Sequence, residues 1–269
     1  MKKLSIIFAS VALSAMVSLL AGCKKDKVNQ IQECKDDVFA MAAVLDIFTL
    51  ANETAIMYSS QNDTVSEIPL IVAENDSAGF TINIDFGNGF LASNGKTLTG
   101  KLSLSSDTLW NFTKMDRTLT ISLESFKIDN QGFTGSFLIL FDTISADVPY
   151  INIKGTSINI TPDFETEIKY NFDYYLTWYQ GFDTFSDFVD DAFIIAGLSG
   201  GTARNNKTFS AGIKSPVYFQ KSCGYGTIVT GEKELTPYNS STQKIDFGTG
   251  SCDNFVTVYH DGEVFNIEF

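Results

Sequence analysis

From about residue 66 onward the chain alternates apolar and polar residues in short runs separated by turn signals, and this constrains its fold more than any other feature. Thr81-Ile82-Asn83-Ile84-Asp85-Phe86 is representative. Successive side chains of a strand point to opposite faces, so such a run buries one face and wets the other. That is the habit of antiparallel sheets. Strand-like runs occur at Phe80–Phe86, Thr97–Leu104, Leu119–Ile128, Thr134–Phe141, Tyr150–Ile160 and Glu165–Trp178. Others are Phe193–Gly197, Thr208–Ile213, Val217–Lys221, Thr227–Gly231, Lys244–Gly248, Phe255–His260 and Glu263–Phe269. Turn residues lie between them, at Asn94-Gly95, Asn130-Gln131-Gly132, Asn205-Asn206 and Asp261-Gly262. His260-Asp261-Gly262-Glu263 reads as a tight terminal hairpin. No long helical pattern separates the runs, which argues against parallel βαβ units. The expected fold is mainly β: a large antiparallel twisted sheet, a sandwich or a rolled sheet, with one N-terminal α-helix.

That helix is expected over residues 36–61. Val38, Met41, Leu45 and Phe48 recur at helical spacing, with Val44, Ile47 and Ala51 on an adjoining face. Asp36-Asp37 would cap its start and face the positive end of its dipole. So wide an apolar stripe predicts a helix packed into the β domain of residues 62–269. An interfacial membrane helix would carry Lys and Arg on its polar face, and none follows Lys35 here.

Residues 1–22 read as a secretory signal peptide. Met1-Lys2-Lys3 is basic, Leu4–Leu20 is apolar, and small residues precede Cys23. The apolar stretch is marginal for spanning a hydrocarbon layer of roughly 30 Å. Leu20-Ala21-Gly22-Cys23 resembles the bacterial lipobox, in which the cysteine is acylated and becomes the first mature residue. Acyl chains such as palmitate contribute about 0.8 kcal/mol per buried methylene and would hold the protein on a membrane through Cys23. Residues 23–35 would then be an acylated tether. Lys24 stands where an inner-membrane lipoprotein often has Asp, so the expected location is the outer membrane.

In that oxidising compartment Cys223 and Cys252 flank two expected hairpin strands and are the expected disulfide. Its loop of about 30 residues would add roughly 3–4 kcal/mol in the chain-entropy model. Cys34 is left over, as a free thiol or an intermolecular partner.

Composition limits the chemistry. The net charge of −13 argues against a nucleic-acid partner, which would need clustered Lys and Arg on the phosphates. One histidine, His260, rules out multi-histidine sites and leaves a Ser-His-acid triad no second choice. No Gly-x-Ser-x-Gly elbow occurs. No metal or cofactor site is expected: Asp183, Asp187, Asp190 and Asp191 cluster without EF-hand spacing. Ile84-Asp85-Phe86-Gly87-Asn88-Gly89 returns as Ile245-Asp246-Phe247-Gly248-Thr249-Gly250, where the glycines suit a bend and the aspartates suit nearby amides. Residues 170–193 carry ten aromatic side chains, expected mostly in the core. Tyr175, Trp178 and Tyr179 are the candidates for an exposed patch that could stack on a ligand such as a sugar.

Several of these pieces together resemble a family of uncharacterised lipoproteins of Gram-negative bacteria. They are the lipobox, the first Ile-Asp-Phe-Gly-x-Gly copy, and Asn94-Gly95-Lys96-Thr97-Leu98-Thr99-Gly100-Lys101. Gly155-Thr156, Asp190-Asp191-Ala192-Phe193 with Gly197, Ser222-Cys223, and Ile245 through Cys252-Asp253-Asn254 complete the likeness. Relatives often have a cysteine where Leu91 stands here. The resemblance implies an envelope location and a β architecture, and brings no catalytic residue. The expected function is therefore a non-enzymatic lipoprotein with a glycan or envelope-protein partner. The alternatives are a glycan-active enzyme, which needs paired carboxylates, one of raised pKa, and a lipid or apolar-ligand carrier, which needs a concave apolar cavity.

Overall fold

The computed structural model describes residues 30–58, 63–67, 69–76, 79–92, 95–107, 117–145, 148–162, 166–184, 188–223 and 227–268. Residues 1–22, expected as a signal peptide, Cys23 and most of the expected tether lie outside them. Among the described residues one α-helix, α1 (Gln32–Tyr58), precedes fifteen strands. These are β1 (Asp63–Glu67), β2 (Leu70–Asp76), β3 (Gly79–Asp85), β4 (Phe90–Leu91), β5 (Thr97–Ser106), β6 (Arg117–Ile128), β7 (Gln131–Ser145) and β8 (Val148–Thr161). There follow β9 (Ile168–Gln180), β10 (Ala192–Thr202), β11 (Thr208–Gln220), β12 (Ile228–Pro237), β13 (Gln243–Thr249), β14 (Phe255–His260) and β15 (Glu263–Glu268). All belong to one antiparallel sheet in chain order, with the two-residue β4 paired to β5 off the main path. The sheet is not closed into a barrel.

The sheet curls around α1. Residues on every side of the helix are buried, among them Val38, Met41, Val44, Leu45, Ile47, Phe48 and Ala51. No single flat layer could cover all of them. The inward face of β9 shows the alternation that makes this work: Tyr170, Phe172, Tyr174, Leu176 and Trp178 are buried, while Lys169, Asn171, Tyr175 and Tyr179 are exposed. Each fully buried large apolar side chain contributes about 1.5–3 kcal/mol.

A line of β-bulges bends the strands. Register shifts interrupt β5–β6 at Thr99/Lys101, β6–β7 at Leu123/Phe126, β7–β8 at Thr134/Phe137 and β8–β9 at Gly155/Ile158. They continue in β10–β11 at Ile195/Leu198 and in β12–β13 at Thr230/Glu232. An extra residue kinks its strand and tightens the twist. The bulges also touch. A Cβ on Gly100, whose φ is +78°, would lie 2.1 Å from the Ser125 carbonyl oxygen, and Ser125 itself has φ +51°. One bulge merges two expected strands: Thr208–Ile213 and Val217–Lys221 form the single β11, irregular at Ser215.

The start of the helix differs from expectation, with two consequences. The helix starts at Gln32, so Glu33 and Cys34 are buried helical residues, not tether. Asp36 and Asp37 are consequently inside the helix, fully buried, and do not cap it. Both changes have one cause, the partners these side chains find on the sheet. The terminal hairpin is as expected, with His260 paired to Glu263 and positive φ at Asp261 and Gly262. By length and composition α1 could cross a membrane, yet 72% of its most apolar window is buried in the protein.

Candidate functional site: a buried network on the first turns of the helix

The first turns of α1 aim four polar side chains at the sheet. Asp36 takes two bonds from Arg204, in the turn after β10: Nε reaches Oδ1 at 2.7 Å and the backbone N–H reaches Oδ2 at 2.7 Å. Glu33 accepts from Asn205 at 3.1 Å and has Lys207 at 3.8 Å. The Cys34 thiol donates to Gln243 Oε1 on β13 at 2.7 Å. Asp37 meets Lys233, on β12, with Nζ 2.6 Å from Oδ2 and both side chains fully buried.

Aromatic hydroxyls complete the Asp37–Lys233 site. Ser199 of β10 donates to Asp37 Oδ1 at 2.7 Å, and Tyr170 of β9 donates to the same oxygen at 3.1 Å. Tyr170 and Tyr174, four residues apart on the inward face, share a hydrogen bond of 2.6 Å. Lys233 Nζ donates to the Tyr174 hydroxyl at 3.2 Å and lies 5.5 Å from that ring's centre. The amine also contacts Met41 Sδ, at 3.9 Å. Four of these groups form a ring of polar contacts: amine, Tyr174, Tyr170, carboxylate, and the amine again.

The electrostatics follow from burial. Taken alone, burial would lower the Lys233 pKa, but Asp37 and Tyr174 outweigh it and raise it. Burial raises Tyr174, against the pull of Lys233, and lifts Tyr170 well above the usual phenol range, so both stay protonated donors. Burial, and then the charges of Asp37 and Glu33, push the Cys34 thiol up too. A thiol so held is neither a nucleophile nor a metal ligand at neutral pH.

The sequence-derived candidates fall elsewhere. Cys223 and Cys252 are bonded, with Cα atoms 5.1 Å apart. Tyr175 is 39% and Tyr179 64% exposed, each against a second tyrosine: Tyr175 stacks on Tyr150 and Tyr179 meets Tyr218 edge-on. Trp178 is corrected: at 2% exposure it lies in the core and donates its indole N–H to Asp191 Oδ1 at 3.1 Å. The parity of β9 turns it inward between its two exposed neighbours. Asp191 is buried, which raises its carboxyl to about 7 despite Trp178 and Lys221. Adjacent Asp190 accepts from Thr184 at 2.9 Å, and Asp183 is exposed; Asp187 lies outside the described residues. Asp85 and Asp246 accept the backbone N–H of Gly87 and Gly248, each at 2.9 Å, the bend-holding role expected of the repeated motif.

Ser241, His260 and Asp261 do come together. The serine donates to Asp261 Oδ1 at 2.9 Å and stands 3.4 Å from His260 Nδ1, so its proton points away from the only available base. The Asp37–Lys233 network itself escaped the sequence reading. Its signal was parity: Lys233 shares a face with Leu235 on β12, and Asp37 precedes Met41 by one helical turn. No protein-family model, curated protein or solved structure matches this chain.

Proposed function

We propose that this chain is a lipid-anchored cell-envelope protein, held at the outer membrane through acylated Cys23, whose β domain binds or scaffolds a partner and carries out no turnover. The observation that carries this reading is the filling of the sheet's concave side by the chain's own helix. A carrier would keep that space for cargo, and a glycan-active enzyme would keep paired carboxylates open to substrate. Here Asp36 and Asp37 are fully buried against Arg204 and Lys233, and Asp191 is closed under Trp178. The outward face includes two tyrosine pairs, Tyr150 with Tyr175 and Tyr179 with Tyr218, on β8, β9 and β11. Tyrosines held against one another suit stacking on a sugar ring or a flat protein surface at low entropic cost.

The anchor supports the location and the resemblance supports the envelope setting. The test is metabolic labelling with a palmitate analogue, followed by membrane fractionation and protease shaving of intact cells. The wild-type chain is expected to take the label and to travel with the outer membrane. Cys23→Ser is expected to lose both. An unlabelled, freely soluble wild-type chain would overturn the anchor. Shaving assigns the face: cleavage on intact cells directs the search to external glycans and surfaces, and protection directs it to periplasmic partners.

A further inference from the structure

We infer that Asp37 and Lys233 join covalently, through an amide bond between the helix and the sheet. Three features of the site carry this. First, amine and carboxylate are in contact at 2.6 Å with no exposure of either, so water does not compete. Second, the contact lacks hydrogen-bond angles: Oδ2 has no hydrogen-bond partner, although Nζ touches it. Third, the other oxygen is braced. Ser199 and Tyr170 both donate to Oδ1, the arrangement that stabilises negative charge developing on an oxygen during attack at a carbonyl carbon.

The reaction balances without an oxidant or a co-reactant. The lysine ammonium passes one proton to Oδ2, which gives a neutral amine beside a neutral acid, the form of the pair that can react. Nζ attacks Cγ, and Oδ1 holds the charge under Ser199 and Tyr170. Nitrogen gives up a second proton directly to Oδ2, the oxygen it already touches. The Cγ–Oδ2 bond breaks, that oxygen departs as water, and Oδ1 remains as the amide carbonyl with its two donors in place. Holding the reactants in contact replaces the activation that a peptide-forming enzyme would supply. The bond ties the first turns of α1 to β12, so, on the proposed anchoring at Cys23, a pull on the anchor is borne by covalent structure.

Peptide mapping of the detergent-extracted, disulfide-reduced protein tests this. Digestion of the wild-type chain is expected to yield a branched peptide that joins the segments around Asp37 and Lys233 and is lighter than their sum by one water. Lys233→Met is expected to return the Asp37 segment as a linear peptide, which distinguishes the cross-link from dehydration within the Asp37 segment alone. Linear peptides carrying free Lys233 and Asp37, recovered from folded wild-type protein, would overturn the inference whatever the variant does.

Discussion

The two halves of α1 pass through the same sheet but handle their acids differently. In the first turns Asp36 and Asp37 have no exposure, and both oxygens of Asp36 accept from Arg204. Further along, Asp46 pairs with Lys96 at 2.7 Å through Oδ2, while its Oδ1, also buried, has no hydrogen-bond partner. Lys96 is one-third exposed, so solvent screens it. The outcome is electrostatic: burial raises the Asp46 carboxyl to about 6 in spite of Lys96. Burial alone therefore does not decide the state of a carboxylate. The count and exposure of the groups around it matter as well: Asp46 has one partly exposed lysine, whereas Asp37 has a fully buried lysine and two hydroxyls.

The strongest way to break the contrast is to remove Lys233. Lys233→Met leaves Asp37 buried against hydroxyls only, and the loss expected in urea unfolding is about 3–5 kcal/mol. The double variant Asp37→Leu/Lys233→Met removes the stranded charge and should recover part of that loss. It is expected to stay below wild type, because the covalent link is gone as well. Full recovery would reduce the pair to an ordinary buried ion pair. Arg204→Ala comes next, at about 2–3 kcal/mol by the same measurement. It is milder because the backbone N–H of residue 204 still reaches Asp36 Oδ2.

The strands were legible because period-two alternation is a direct image of a half-buried sheet, and β9 follows it from Ile168 to Trp178. The turn at Asp261-Gly262 was legible because only such residues take two consecutive positive φ angles at low cost. The bulges were less so. Gly100 and Gly231 hint at them, but Ser125 and Ser157 hold φ near +51° and +56° with nothing in their identity to announce it. Those conformations are imposed by neighbouring strands, so the closure of the sheet around α1 could not be read locally. The helix start failed for a related reason. Glu33, Asp36 and Asp37 look like solvent-facing residues until Arg204, Asn205 and Lys233 are brought opposite them from far along the chain. Trp178 failed because an aromatic-rich strand was judged by composition, where parity alone would have turned it inward.

Asp46 sharpens the comparison through pH. Its folded pKa, about 6, lies above its ordinary value of 3.8, so between those values the folded state binds the proton more tightly than the unfolded one. The stability it contributes is fully present below about pH 4 and is lost as pH rises through 6. Asp46→Asn is expected to remove that slope, leaving stability at pH 4 unchanged and raising it at pH 7 by about 1–2 kcal/mol. Urea midpoints measured across that range check it. A variant less stable than wild type at pH 7 would mean that the bond to Lys96 outweighs the stranded oxygen.

The smallest expected effect belongs to Cys34, on the well-partnered side. Its thiol is buried, donates to Gln243 at 2.7 Å, and is held protonated by burial and by its acidic neighbours. An intermolecular disulfide, open as a reading of an odd cysteine, would need that thiol at the surface and ionised. The folded protein is therefore expected to resist alkylation at Cys34 and to react in full once unfolded in denaturant. Cys34→Ser keeps a donor of similar size facing Gln243, so the stability change should stay within about 1 kcal/mol. Fast alkylation without denaturant would show the first turns of α1 opening on their own. That would contradict the rigidity their acid partners confer, and a covalent bond at Asp37 would forbid it most strongly.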